Sequence, residues 1–203
     1  MRGKEGIVAK AIFPKEPRYE NAAPVAIYVA GGVKEGFLGF YSADWDPHGM
    51  IWITFIFPGG NQSIILPTKE EINVRSGGEY DYRGDACFEA LYAVIKFAKG
   101  EIANTAGKKI TDYVSYDVLK NNIGLYGSSY GGITAALTLA KYGDVVNYLV
   151  FYESPPLNLL TTTDWAGSAA MSMRLTQMAK ESKLRCSLLQ RNHMLNRLFN
   201  ATL

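Results

Sequence analysis

The stretch "GLYGSSYGGITAALTLAKY", residues 124–142, decides how this chain is read. It joins an apolar run to a helical pattern through a bend in which Gly127, Gly131 and Gly132 crowd Ser128 and Ser129. Ile133, Ala136, Leu137 and Ala140 recur at helical spacing, and Gly143 stands where such a helix would stop. Gly127-Ser128-Ser129-Tyr130-Gly131 fits G-x-S-x-G with a strand before it and a helix after it. A serine on such a bend needs neighbours nearly free of side chain, so that strand and helix backbones can approach each other. Ser129 is the expected nucleophile; the flanks of Ser128 do not match. The other reading of the same letters is a tight turn that needs small residues.

The flanking sequence alternates strand and helix signals. "GIVAKAIF" (6–13) alternates apolar and polar residues up to Pro14 and reads as a half-exposed strand. "PVAIYVAGG" (24–32) and "GMIWITFIFPGG" (49–60) are apolar runs closed by paired glycines, as expected of strands buried on both faces. The residues between them leave room for a short crossover helix. In "DACFEALYAVIKFAKG" (85–100), Phe88, Leu91, Ile95 and Ala98 lie at helical spacing, with Asp85 as the expected cap and Gly100 as the stop. Residues 101–121 read as a surface excursion; "NIGLY" (122–126) and "VVNYLVFY" (145–152) read as buried strands. This order predicts an α/β fold, a mostly parallel sheet with helices on both faces.

The segment "YDVLKNNIGLYGSSYGGITAALTLAKY" (116–142) resembles the α/β-hydrolase family. It is similar above all to the nucleophile region of prolyl-oligopeptidase-type serine peptidases and related esterases. Their G-x-S-Y-G-G elbow is matched from Gly127 to Gly132. The resemblance spans about residues 6–157 and is pattern-level outside the elbow. It implies an eight-stranded, mostly parallel sheet, incomplete at the C-terminal end here, and a Ser–His–acid triad. It leaves esterases, lipases, peptidases and thioesterases open.

An oxyanion hole in this fold takes one amide from the residue after the nucleophile, Tyr130, and a second from the loop after the third strand. "AGGVKEG" (30–36) and "PGGNQ" (58–62) compete for that loop. The first is preferred, because it leaves 50–57 as the next strand; Gly32 is the expected donor, with Val33 beside it. In the second, Gly59 and Gly60 then make a plain turn. The triad is harder to place. The one histidine after Ser129 is His193, in "LRCSLLQRNHMLNRLF", which reads as helix through Leu184, Leu188, Leu195 and Phe199. His193 and Asp164 are the possible triad partners, and Glu153 reads as an ordinary strand-end acid. His48 precedes the second buried strand and reads as a loop residue.

The chain of 203 residues changes character near residue 157. All 13 tyrosines precede that point, whereas Gly167 is the one glycine beyond it. Residues 1–157 hold 15 basic and 17 acidic residues, net −2; residues 158–203 hold 6 and 2, net +4. We therefore divide it into a hydrolase core, 1–157, and a helical segment, 158–203, which is either a lid or an aberrant tail. The overall charge of +2 gives no nucleic-acid signature, and two cysteines give neither a disulfide framework nor metal spacing. Cys87 reads as a small core residue. With no signal-like or membrane-spanning run, a cytoplasmic protein is expected. No cofactor or metal is expected; the oligomeric state is open. The expected function is hydrolysis of a small-molecule carboxylic ester through an acyl-enzyme on Ser129. The alternatives are a peptidase of the prolyl-oligopeptidase type and a non-catalytic binding domain of the same fold.

Overall fold

The computed structural model describes residues 6–32, 36–39, 47–65, 68–154, 185–192 and 195–202. In chain order the strands are β1 (Ala9–Ile12), β2 (Ala22–Val29), β3 (Gly36–Phe37), β4 (Ile51–Ile56), β5 (Asn61–Ile65) and β6 (Glu71–Arg75). Then follow helix α1 (Asp85–Ala98), a 3-10 turn (Ile110–Tyr113), β7 (Asp117–Ser128), helix α2 (Tyr130–Tyr142), β8 (Tyr148–Tyr152), β9 (Arg185–Asn192) and β10 (Leu195–Thr202).

The main sheet runs β1-β4-β2-β7-β8-β9-β10, with β3 added on β4. From β4 to β9 every neighbouring pair is parallel, while β1 and β10 close the two ends antiparallel. The apolar run of β2 therefore lies inside the sheet. Ala23, Val25, Ile27 and Val29 are fully buried, in one core with Leu91 and Ile95 of α1 and Leu139 of α2. Each such buried valine, leucine or isoleucine contributes about 1.5–3 kcal/mol.

The chain steps from β2 outward to β4, then returns across β2 to β7. Right-handed crossovers therefore place α1 and α2 on one face and the connection between β2 and β4 on the other. The contacts agree. α1 and α2 meet through the stacked rings of Tyr92 and Tyr142 and the 2.8 Å ion pair of Lys141 with Asp85. On the opposite face Phe37 packs edge-on against Tyr28, which stacks on Tyr126. Tyr126 in turn meets Trp52 and Tyr152. Gly124 serves a different end from the elbow glycines, since a Cβ there would overlap the ring of Tyr148.

Several expectations change. Asp85 does not cap α1. The N-cap is Gly84, and the carboxylate of Asp81 accepts the amides of Gly84 (3.0 Å), Ala86 (2.6 Å) and Cys87 (3.4 Å). The turn before the helix folds Asp81 under the free amides, which leaves Asp85 for Lys141. In α2 Ile133 is buried as expected, but Ala135, Thr138 and Leu139 are also buried, while Ala136, Leu137 and Ala140 are half-buried. Two threonines enter the core because each donates its hydroxyl to the carbonyl four residues back, Thr134 to Tyr130 (3.1 Å) and Thr138 to Thr134 (2.8 Å). A polar letter then counts as an apolar one.

The hairpin of β5 and β6 alternates exposed and half-buried residues, with Ile64, Ile72 and Val74 on its half-buried side. Gly59 and Gly60 form the expected turn into it, with Gly59 at φ +72° and the Gly60 amide on the Phe57 carbonyl. Between β2 and β4 the described residues hold the short strand β3 and no helix. The helix expected over 184–199 is a correction too: β9 pairs parallel with β8, and β10 returns antiparallel along β9. Residues four apart share a side in a strand as well as in a helix, so the leucine spacing could not separate the two. His193, Asp164 and Val33 lie outside the described residues.

Cys87 is fully buried, as a core residue should be. Burial, then the neighbouring Asp81, push its thiol from 9.0 to about 12. Replacing Asp81 with alanine removes the acceptor shared by three amides at the start of α1. Urea denaturation of Asp81→Ala is expected to show a loss of about 1–2 kcal/mol, whereas Asp85→Ala, which removes an exposed ion pair, loses less.

Candidate active site

Ser129 sits between the last residue of β7 and the first residue of α2, as the N-cap of the helix. Its backbone is at φ +50°, ψ −125°, a region that a side-chain-bearing residue occupies at a cost of about 1–3 kcal/mol. The surrounding contacts hold it there. Its amide donates to the Tyr152 carbonyl at 2.8 Å, and its carbonyl accepts the Gly132 amide at 3.1 Å. The Ser154 hydroxyl reaches the Gly127 carbonyl at 3.3 Å. Ser129 remains half-exposed at the carboxyl edge of the parallel strands, the edge where ligands of such sheets bind.

The glycines are spatial requirements. A Cβ on Gly127 would overlap the backbone of Gly132, one on Gly131 the carbonyl of Val29, and one on Gly132 the hydroxyl of Ser154. Gly31, which spacing alone does not single out from Gly32, belongs to the same cluster. A Cβ on Gly31 would overlap the Ser128 carbonyl and come within 2.7 Å of Ser129 Cβ. Gly32 is exposed at φ +58°, with open space where a Cβ would stand. The paired glycines thus divide the work: the first lets the end of β2 touch the elbow, and the second turns the chain away. Only the doubled glycine after a buried strand could have signalled this.

Tyr130 and Gly131 open α2, and the first amides of a helix have no intrahelical partner. The first turn carries no acidic side chain, so nothing in it offsets the positive end of the helix dipole beside Ser129. Behind the turn lies a buried cation, Arg83, whose guanidinium stands 3.9 Å over the Phe57 ring and 6.0 Å from that of Tyr130.

Of the other candidates, Glu153 is exposed at φ +49° directly after β8, on the same edge as the elbow. His48 lies at the opposite edge, in the turn that enters β4, at φ +52°. The described residues therefore bring no histidine to Ser129. An apolar groove of about 800 Å³ runs beneath β1 and α1, with Phe13, Ile53 and Phe97 in its walls. No elbow residue lines it. Among the described residues no cluster of histidine, cysteine and carboxylate could hold a metal ion, and no helix is long and apolar enough to cross a membrane.

The architecture is α/β-hydrolase-like. Strand order and the strand–serine–helix bend carry that statement. No protein-family model and no curated protein matches the chain. Among solved structures it is similar to an alpha-beta serine hydrolase homologue from Coxiella burnetii, at 17% identity and a TM-score of 0.46 over 93% of this chain and 74% of that one. It is also similar to a monoacylglycerol lipase from Paleococcus ferrophilus, at 11% and 0.45 over 90% and 76%. An acetyl xylan esterase from Paenibacillus sp. R4 follows, at 14% and 0.46. The likeness there covers 90% of this chain and 63% of the esterase, so the chain spans less than two thirds of that protein. Likenesses this distant assign no activity.

Two expectations test the elbow. Gly31→Ala forces β2 away from the bend and is expected to destabilise by about 1–3 kcal/mol, whereas Gly32→Ala, with open space, costs only the backbone preference of about 1–2 kcal/mol. Fluorophosphonate labelling of Ser129 should separate them further, falling about 100-fold in Gly31→Ala as the hydroxyl is displaced. Strain at residue 129 should show in stability: Ser129→Gly is expected to unfold about 1 kcal/mol above Ser129→Ala, because glycine accepts a positive φ.

Proposed function

We propose that the protein is a serine hydrolase that cleaves small carboxylic esters through an acyl-enzyme on Ser129. The supporting observation is the strained, half-exposed backbone of Ser129 at the start of α2. Ser129 Oγ attacks the acyl carbon and gives its proton to a base. The carbonyl oxygen becomes an oxyanion, received by the amides of Tyr130 and Gly32. The tetrahedral adduct expels the alcohol, which takes the proton back from the base. Water then repeats the sequence on the acyl-serine and releases the acid. His193 is the base and Asp164 the acid in this reading. Both are assigned from chain order after Ser129. Neither lies among the described residues; strand β9, which precedes His193 in the chain, pairs parallel with β8.

The G-x-S-Y-G-G match also fits a peptidase of the prolyl-oligopeptidase type, for which a proline-containing amide is the discriminating substrate. Among the described residues no histidine reaches Ser129, which favours a second reading: a non-catalytic binding domain of hydrolase fold.

A fluorophosphonate probe is expected to label the folded protein at Ser129, and Ser129→Ala to abolish labelling. The protein should turn over p-nitrophenyl acetate in preference to a proline p-nitroanilide. His193→Ala should lower kcat about 10³-fold or more, leaving the smaller contribution of the amides. Folded protein that leaves Ser129 unlabelled supports the binding domain and removes the hydrolase.

A further inference from the structure

We propose that Arg83 is a positioning residue for the elbow, acting through the hydroxyl of Thr134 on the peptide unit that follows Tyr130. The inference rests on the reading of Ser129 as nucleophile and names what holds the helix end against it.

Arg83 is 4% exposed. It lies in the turn before α1, where Tyr82 (φ +57°) and Arg83 (φ +70°) both take the left-handed conformation that side chains disfavour. That turn is tied down by the amides on Asp81, so the guanidinium is fixed at its root. Among the groups its tip meets are three on described residues. It stands 3.9 Å over the Phe57 ring, Nε donates to the Tyr80 hydroxyl at 3.2 Å, and Nη1 donates to Thr134 Oγ1 at 3.4 Å. A buried guanidinium is poor evidence of stabilisation, because an apolar side chain of similar volume would serve the core as well or better.

The direction of the hydrogen bonds is set by chemistry. Arginine can only donate, so Thr134 must accept from it, and the single hydroxyl proton is left for the other contact. That contact is the carbonyl of Tyr130, at 3.1 Å. The same peptide unit carries the amide of Gly131, one of the free donors at the start of α2. Pulling electron density toward the carbonyl oxygen strengthens that N–H as a donor, and holding the oxygen fixes the plane of the unit. The charge on Arg83 thus reaches the helix end beside Ser129 through one hydroxyl, without touching any substrate. Burial raises the pKa of the Tyr80 hydroxyl and Arg83 opposes the rise, so tyrosine stays a neutral acceptor for Nε.

The test compares full-length Arg83→Met, Arg83→Lys, Thr134→Val and the double variant Arg83→Met/Thr134→Val with the parent protein. Fluorophosphonate labelling at Ser129 is resolved into KI and kinact from pH 6 to 9, and hydrogen exchange is followed in peptides covering residues 129–134 and 22–29. Arg83→Met and Thr134→Val are each expected to lower kinact about ten-fold with KI within two-fold. The double variant should be no slower than the slower single one, because both act on one path. Arg83→Lys, which keeps the charge, should recover part of the loss. Exchange should quicken in 129–134 and not in 22–29. An unchanged kinact in folded Arg83→Met overturns the proposal, as do losses that multiply in the double variant. If Arg83→Met does not fold, Thr134→Val and Arg83→Lys decide by the same criteria. Failure of the parent protein to label refutes Ser129 as nucleophile, and hydrogen exchange then decides separately: quickening at 129–134 in Arg83→Met upholds the relay, and no change overturns it.

Discussion

Backbone must touch backbone where β2, β7 and α2 meet, and the rest of the structure is arranged around that contact. Gly31, Gly127, Gly131 and Gly132 have no room for a β-carbon, each against main chain or a fixed serine. The contact brings the end of β2, the end of β7 and the first turn of α2 to one point. There a single residue between strand and helix is held at φ +50°. The strain is local and the restraint is not. The Ser129 amide is anchored on β8 through Tyr152, and Ser154 ties the same strand back to Gly127. Core packing of β2, β4 and α1 keeps the sheet rigid enough that these few contacts suffice.

The sequence made this part legible because its demands are chemical at single positions. A bend that excludes side chains must be written in glycine, and the strands on either side must be apolar on both faces, so the elbow, β2, β4 and β8 could be read directly. The burial of Cys87 and the stop of α1 at Gly100 followed from period and capping rules. Other features depend on partners that no local pattern names. Asp81 caps α1 because a turn through two left-handed residues brings it there. Thr134 and Thr138 enter the core because their hydroxyls close on their own helix. The hairpin of β5 and β6 is half-buried on one side only, so its apolar signal is short and weak.

The strands β9 and β10 show the limit of periodicity. Leucine spacing of four suits both a helix face and a strand side, and the free edge of β8 decides between them. The same ambiguity affects the site. Ser129 and its glycines lie in one contiguous stretch and declare themselves by spacing. A base and an acid brought in from later in the chain carry no spacing signal, since a histidine is recognised by what stands next to it in space. The reading of His193 and Asp164 therefore came from order along the chain, a weaker constraint than the overlap that fixes Gly127 and Gly131.

Several side-chain-bearing residues at positive φ lie around the elbow, while His48 and Lys69 take it in turns elsewhere. Ser129 and Glu153 take positive φ at the carboxyl ends of β7 and β8, and Arg83 does so where its side chain runs under α2. Each such departure from local preference lowers the stability that the buried core supplies. Glycine would relieve the strain at 129, as it does at Gly59, Gly78 and Gly107, where positive φ serves a turn; His48 and Lys69 are turns that hold a side chain there instead. Retaining a hydroxyl on a strained backbone, with a guanidinium held behind the helix that starts there, makes sense when the hydroxyl must meet a reacting group and the helix end must be fixed before it does. Preorganisation of this kind costs stability in the resting protein and returns it where charge develops.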